Sequence, residues 1–125
     1  MSGKNKDNIN SLTWHCSKHE NIDNCMEECY VRRILSLFGK KYVMPIIREL
    51  LIENKLRFNE IETKLEGSPK TITSRLRELE QFGLVHREVY NEIPIKVEYS
   101  LTEYSKDLED IFERISILAK KVGNP

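Results

Sequence analysis

The chain has 125 residues, a length typical of one domain, with 32% charged and 39% hydrophobic residues. Its 20 basic and 20 acidic residues give a formal net charge of +0, which excludes a uniformly basic surface but not a local basic one. No apolar run approaches the ~20 residues of a membrane-spanning helix, and the first residues lack the apolar core of a signal peptide. We therefore expect a cytoplasmic globular protein with no membrane partner.

Positive charge is concentrated in residues 30–58, which carry seven basic and two acidic side chains, a net charge of +5. Apolar residues at helical spacing predict a first helix from Val31 to Phe38, which Gly39 ends. A second helical pattern runs from about Tyr42 to Ile52. Pro45 is compatible with that helix only in its first turn.

Two further helices are predicted, separated by a tight break. Asn59 has the character of an N-cap, with Glu62 three residues later at the spacing of a capping box. Beyond the break, Ser68 is a candidate N-cap and Pro69 suits the first position of a longer helix that ends near Phe82–Gly83. The apolar side of this longer helix consists of Ile72, Leu76 and Leu79.

The hydrophobic pattern then changes to a period of two. Apolar and polar residues alternate from Ile95 to Leu101 and predict a half-buried strand. Residues 84–90 form a less regular partner strand, and residues 91–94 join the two as a hairpin. A last helix is predicted from about Glu103 to Val122, with an apolar seam at heptad spacing. The seam consists of Leu108, Ile111, Ile115, Leu118 and Val122.

This order of elements predicts a mainly α protein with a small β-hairpin (α+β), a winged helix-turn-helix. The heptad seam predicts a homodimer, because it has more apolar surface than so short a chain readily covers; packing within the monomer is the alternative. Residues 26–125 are expected to form the DNA-binding domain with its C-terminal dimerisation helix. Residues 1–25 are expected to form a flexible or metal-binding N-terminal extension.

The helix that starts at Pro69 is the first candidate for contact with double-stranded DNA. With its apolar side inward, its outward residues are mostly hydrogen-bond donors or small polar groups, which suit phosphates and base edges in a major groove. Glu78 and Glu80 lie toward its C-terminal end, and we place them away from the groove. The hairpin tip is the second candidate, for backbone phosphates or a minor groove. A solvated helix side and a solvent-exposed turn are the alternatives. The predicted DNA-binding residues are Lys70, Thr71, Thr73, Ser74, Arg77, Asn91 and Lys96.

Three segments of the sequence are specific in combination. They read CYVRRILSLFGKKYVMPIIRELL at 29–51, RFNEIETKLEGSPKTITSRLRELEQFGLVHREVY at 57–90 and IPIKVEYSLTEYS at 93–105. Together they resemble the HxlR-type winged helix-turn-helix transcription regulators, over roughly Cys29 to Val122. The chain departs from the family pattern at Tyr30, where proline is usual, and at Tyr42, where tryptophan is usual.

The resemblance implies a cytoplasmic transcription regulator that binds an operator in double-stranded DNA as a homodimer. It also implies that the terminal helices form the dimer interface and that the helix from Pro69 is the recognition helix. Two recognition helices must lie about 34 Å apart to meet successive faces of the major groove. We therefore expect a two-fold symmetric, inverted-repeat operator and sequence-specific binding.

The three cysteines are all in the first quarter of the chain, and their odd number argues against a structural disulfide framework. In several members of the resembled family a cysteine at the position of Cys29 senses oxidants or electrophiles. A thiol near a helix N-terminus is also more readily ionised, so Cys29 is the candidate for redox sensing. A C-x2-H-x5-C-x3-C spacing makes zinc binding a second interpretation, and unliganded thiols in a flexible arm are a third. The candidate metal ligands are Cys16, His19, Cys25 and Cys29.

Other functional classes are less well supported. The sequence has no nucleophile motif and no glycine-rich loop for phosphates, so we do not expect an enzyme. A winged-helix module for protein–protein interaction, or a metal-dependent regulator using the N-terminal Cys/His cluster, remains an alternative. DNA binding that weakens steeply with salt would argue against the protein-binding module.

Overall fold

The computed structural model describes residues 30–123, and the contacts within the chain divide it after Lys40. The first unit contains helix α1 (Tyr30–Phe38). The second unit contains α2 (Val43–Glu53), β1 (Lys55–Arg57), α3 (Phe58–Leu65), α4 (Pro69–Gln81), β2 (Val85–Tyr90), β3 (Lys96–Leu101), a short 3-10 helix (Glu103–Lys106) and α5 (Asp107–Val122). This mainly helical structure with a small antiparallel sheet confirms the predicted winged helix-turn-helix fold class. The predicted boundary at residues 25 and 26 lies outside the described residues.

The core of the second unit is built from α2, α3, α4 and the inner side of the sheet. The helical residues at its centre are each at most 2% exposed, and burial of each contributes about 1.5–3 kcal/mol relative to exposure. Pro45 lies in the first turn of α2, as predicted, where it breaks no helical hydrogen bond. The central helical residues are Ile46, Ile47, Leu50, Ile61, Ile72, Leu76 and Leu79.

Helix α3 begins at Phe58, so the predicted start at Asn59 was wrong. The backbone N–H of Arg57 donates a hydrogen bond to Oε1 of Glu60 at 2.8 Å, and Glu60, not Glu62, is therefore the capping carboxylate. The reason is the preceding strand. Arg57 is the last residue of β1 and is paired with β3, so the chain turns directly from sheet into helix.

Helix α4 has the predicted boundaries, with the Ser68–Pro69 pair as N-cap and first helical residue. At its other end, the N–H of Leu84 donates to the carbonyl of Leu79, and the N–H of Gly83 donates to that of Glu80, both at 3.0 Å. These two bonds form a Schellman motif. Gly83 has a φ of +81°, which glycine adopts without a steric penalty, and the chain turns there toward the sheet.

The sheet has three antiparallel strands in the order β1-β3-β2. The predicted hairpin is present, with Val85 opposite Leu101 and Tyr90 opposite Lys96. Strand β1 pairs along the other edge of β3 and adds a third strand to the hairpin. Hydrophobic alternation did not predict this strand, because three residues are too few to show a period of two.

Hydrogen bonds attach the segment leading into α5 to the turn that ends α4. Thr102 Oγ1 donates to the carbonyl of Gly83, and the buried hydroxyl of Ser105 donates to the carbonyl of Leu84. The residues that follow β3 form a 3-10 turn before α5 begins at Asp107, rather than one continuous helix from Glu103. None of the helices within residues 30–123 has the length and apolar character needed to cross a membrane.

Candidate nucleic-acid interface

The outward side of α4 carries a continuous polar stripe. Lys70, Ser74 and Arg77 are all exposed and follow one another at intervals of four and three residues, which places them on one side of the helix. The opposite side of α4 is in the core. We call these three residues the α4 stripe. It presents two cations and a hydroxyl to solvent, the groups that contact phosphates and base edges in DNA.

Two predicted threonines flank the α4 stripe and are half-buried. Thr73 Oγ1 donates to the carbonyl of Pro69 at 2.7 Å, so its proton is used within the helix. The Thr73 oxygen can still accept a hydrogen bond, for example from an exocyclic amino group. Thr71 lies one turn earlier, near the positive end of the helix dipole. The structure therefore brings the five predicted residues of α4 to one surface, with the stripe more accessible than the threonines.

Arg75 is a third cation of α4, and its guanidinium is directed elsewhere. Its Nε donates to the carbonyl of Lys41 at 3.0 Å, and its Nη1 donates to Oε1 of Glu78 at 2.7 Å. Both charged side chains are only about one quarter exposed, at 24% and 25%. The Glu78 contact could have been predicted from the spacing of three residues. The Lys41 contact could not, because it joins residues far apart in the sequence.

Tyr42 packs against the turn between α3 and α4. A methyl group added to Gly67 would lie 2.8 Å from Cζ of Tyr42 and 3.0 Å from Cδ1 of Ile72, so only glycine allows this approach. Tyr42 itself has a φ of 73°, a left-handed conformation that costs a bulky residue about 1–2 kcal/mol. The Nζ of Lys41 lies 5.0 Å from the centre of the same ring. The Lys41–Tyr42 segment thus contacts both the turn and the recognition helix.

Lys96, one of the two predicted contacts of the wing, is engaged within the sheet. Its Nζ lies 3.5 Å from Oε2 of Glu98 and 5.0 Å from the centre of the Tyr90 ring. Desolvation acts to raise the pKa of Glu98, but the hydrogen bond from the Tyr90 hydroxyl and the charge of Lys96 hold that pKa below its ordinary 4.5. The same hydrogen bond raises the pKa of Tyr90 above 10.0. Glu98 therefore partly neutralises Lys96 before any ligand arrives.

The tip of the wing is exposed and has little positive charge. Asn91, the other predicted contact, is exposed at its start, beside the acidic Glu92. Ile93 and Ile95 are exposed as well, and Ile95 precedes β3 rather than belonging to it. The wing thus offers an amide and apolar side chains, and the α4 stripe offers cations.

The predicted redox and metal residues lie outside the described part of the chain. Cys29 directly precedes α1, which begins at Tyr30, and Cys16, His19 and Cys25 come before it in the sequence. Among residues 30–123, no group of three or more His, Cys, Asp or Glu side chains is arranged to hold a metal ion. Zinc binding by the N-terminal cluster and redox sensing by Cys29 remain predictions.

A recognition helix with an exposed polar stripe, preceded by a short helix and followed by a β-hairpin, defines a helix-turn-helix transcription regulator. Residues 37–125 match the family described as HxlR-like helix-turn-helix. The chain is 43% identical over 96 residues to the HTH-type transcriptional regulator YybR of Bacillus subtilis, an alignment that covers 76% of each protein. The chain belongs to the HxlR-like family, whose members among its relatives are transcriptional regulators and not enzymes, and the resemblance seen in the sequence is confirmed.

Solved structures agree with this assignment. The reduced form of the transcriptional regulator YodB from B. subtilis is 35% identical, with a TM-score of 0.67, and the alignment covers 75% of this chain and 93% of that one. The redox regulator HypR in its oxidised form is 38% identical, with a TM-score of 0.64, over 74% of this chain and 96% of that one. Both cover nearly their full lengths, so the similarity includes the whole winged helix-turn-helix.

Proposed function

We propose that this regulator acts in the cytoplasm as a homodimer that binds an inverted-repeat operator in double-stranded DNA. Helix α4 enters the major groove through the α4 stripe. The exposure of the stripe, on a helix whose other side is buried, is the observation that carries the proposal. Thr71 and Thr73 contact DNA at its margins, and Asn91 and Lys96 of the wing make weaker contacts with the backbone.

The exposed side of α5 supports the homodimer. Leu108 is buried, but the other four residues of the seam are between 40% and 71% exposed. A groove of about 310 Å³ runs along this side and is lined by apolar side chains with Asp110 and Arg114. A second copy of the same seam is the natural cover, because heptad positions on two helices interlock. The exposed residues of the seam are Ile111, Ile115, Leu118 and Val122.

The charges of α5 favour an antiparallel pairing of the two copies. Its first turn holds Asp107, Glu109 and Asp110, and its last turn holds Lys120 and Lys121. Antiparallel helices would place the acidic end of one copy beside the basic end of the other. A parallel pairing would bring like charges together, which is unfavourable.

The proposal is tested by the oligomeric state and DNA binding of two matched variants. Ile115 and Ile117 are 47% and 41% exposed, but only Ile115 belongs to the seam. We expect Ile115→Glu to produce a monomer by sedimentation and to abolish protection of a paired half-site, with Ile117→Glu still dimeric. Protection of a single isolated half-site by the wild type would contradict the inverted-repeat operator. Binding that does not weaken with salt would contradict DNA recognition itself.

Cys29 is our proposed redox sensor. The proposal is supported by its position directly before α1 and by structural relatives studied in reduced, oxidised and diamide-treated forms. Ionisation of a thiol at such a position speeds its reaction with oxidants. A disulfide between two subunits, formed as diamide accepts two electrons and two protons, would change the spacing of the two recognition helices.

Diamide treatment of wild type and Cys29→Ser separates redox sensing from metal binding. We expect diamide to lower operator affinity of the wild type at least several-fold and to leave Cys29→Ser unaffected. Metal analysis of the reduced wild type, together with a Cys16→Ser variant, tests the zinc alternative. Stoichiometric zinc that is lost in both variants would replace the redox proposal, and unchanged affinity after diamide would remove it.

A further inference from the structure

Arg75 differs from the other basic residues of α4 in what its side chain contacts. Lys70 and Arg77 lie on the exposed stripe, but Arg75 uses two of its nitrogens within the protein. The Nη1 bond to Glu78 fixes the plane of the guanidinium along the helix. The Nε bond reaches the carbonyl of Lys41, just before α2. One side chain therefore ties the middle of the recognition helix to the start of another helix.

The contact partner of Arg75 is itself held in place. Lys41 is followed by Tyr42, which accepts the first backbone hydrogen bond of α2 from Ile46 at 2.9 Å and packs its ring on Gly67. Gly67 lies in the turn that sets the angle between α3 and α4. The Lys41 carbonyl is thus placed by the same residue that packs on this turn, and Arg75 reads that placement from the recognition helix.

We propose that Arg75 is a positioning residue for DNA recognition, which sets the orientation of α4 through the Lys41 carbonyl and makes no phosphate contact of its own. This inference rests on the proposed function, because it concerns how the α4 stripe is aimed. Base contacts need the stripe to be correctly oriented, and non-specific phosphate contacts tolerate small rotations. Loss of Arg75 should therefore lower specificity more than it lowers general affinity for DNA.

The test measures affinity against salt for four proteins: wild type, Arg75→Ala, Arg75→Lys and Lys70→Ala. The probes are a duplex selected by the wild type from a random library and an unselected random duplex. We expect Arg75→Ala to lose about tenfold in affinity for the selected duplex, as for loss of a charge-assisted hydrogen bond. Its affinity for the random duplex and its salt slope should match the wild type. Lys70→Ala should lower the salt slope by about 0.9, the effect of one phosphate contact.

Arg75→Lys separates positioning from direct contact. Lysine keeps the charge but lacks the planar fork that reaches two acceptors at once. A positioning role predicts that Arg75→Lys loses specificity as Arg75→Ala does, and a phosphate contact predicts that it binds like the wild type. Unfolding by urea, followed for each variant, confirms that the proteins compared are folded; a general loss of structure would lower affinity for both duplexes equally and would overturn the proposal.

The outcomes distinguish this inference from the proposed function. If the wild type selects no duplex, or binds with no salt dependence, the proposed function itself fails. If the wild type and Lys70→Ala behave as expected but Arg75→Ala lowers the salt slope as Lys70→Ala does, the function stands and the positioning role of Arg75 is overturned.

Discussion

The recognition helix and the wing were both predicted to contact DNA, and the structure prepares them very differently. On α4, Lys70 and Arg77 are exposed along one stripe. On the wing, the ammonium of Lys96 already lies 3.5 Å from the carboxylate of Glu98. A phosphate would have to compete with Glu98 for Lys96, but not with a printed partner of this kind for the α4 stripe. The side-chain neighbours of a cation, and not its presence in a motif, decide its contribution to DNA binding.

The two regions also differ in how closely they are packed. The turn before α4 is so tight that Gly67 has no room for a methyl group beside Tyr42. The wing tip, in contrast, exposes Ile93 completely. A site that discriminates between base pairs needs fixed geometry, whereas a region that touches the backbone does not. Packing and charge therefore agree that specificity is concentrated in α4.

Arg77→Ala should have the largest effect on this comparison. Loss of an arginine that reads a base edge costs about 1–3 kcal/mol, or about 10- to 100-fold in affinity for the selected duplex. The matched control is Arg87→Ala, an exposed arginine on strand β2, which should change that affinity by less than about threefold. Fluorescence anisotropy with both duplexes measures the two effects. Equal losses for the two variants would show that α4 is not the specific element.

Gly67→Ala should destabilise the fold more than any truncation at the wing tip. The added methyl group would lie 2.8 Å from Tyr42 Cζ, and forcing that ring aside should cost about 1–3 kcal/mol of unfolding free energy. Ile93→Ala, at the exposed tip, should change it by less than about 0.5 kcal/mol. Urea denaturation measures both. A Gly67→Ala protein as stable as the wild type would mean that the turn before α4 yields easily.

Lys96→Ala should have a smaller effect on binding than Arg77→Ala. Because Glu98 already partly neutralises Lys96, we expect affinity to fall by less than about threefold, equally for the selected and random duplexes. Lys70→Ala serves as the comparison on the recognition helix. A Lys96→Ala loss that equals the Lys70→Ala loss would show that Lys96 leaves Glu98 when DNA binds.

The smallest effect concerns the pH dependence of stability at the wing. The pKa of Glu98 in the folded protein lies below its ordinary 4.5, so the ionised carboxylate stabilises the fold above that pH. This contribution is lost as the pH falls through the lowered pKa of the folded state. Glu98→Gln should therefore remove part of the loss of stability in acid, measured by urea denaturation near neutral pH and below the ordinary pKa. Identical pH profiles for variant and wild type would contradict the Tyr90–Glu98–Lys96 interaction.

Local sequence signals predicted the recognition helix well. Ser68 and Pro69 gave its start and Gly83 its end, because caps and turns depend on residue types at fixed short spacings. The hairpin register followed from the alternation around Tyr99 in the same way. The start of α3 was missed because Arg57 is held by pairing with β3, which no local pattern reveals.

Contacts between distant residues were not predictable from the sequence. The bond from Arg75 to the Lys41 carbonyl and the packing of Tyr42 on Gly67 both depend on how α2 and α4 meet. The Lys96–Glu98 pair was also missed, although residues two apart on a strand share one side of it. That spacing was a usable signal, and it would have lowered the expected contribution of Lys96.

The most direct test of the account is photo-crosslinking from single positions of the dimer to a selected duplex. A photoreactive amino acid at Ser74 should crosslink to bases at two sites related by the symmetry of the inverted repeat, about 34 Å apart along the duplex. The same group in place of the exposed Ile93 should give only weak crosslinks near the backbone. Strong crosslinks from position 93 with none from position 74 would contradict recognition through α4.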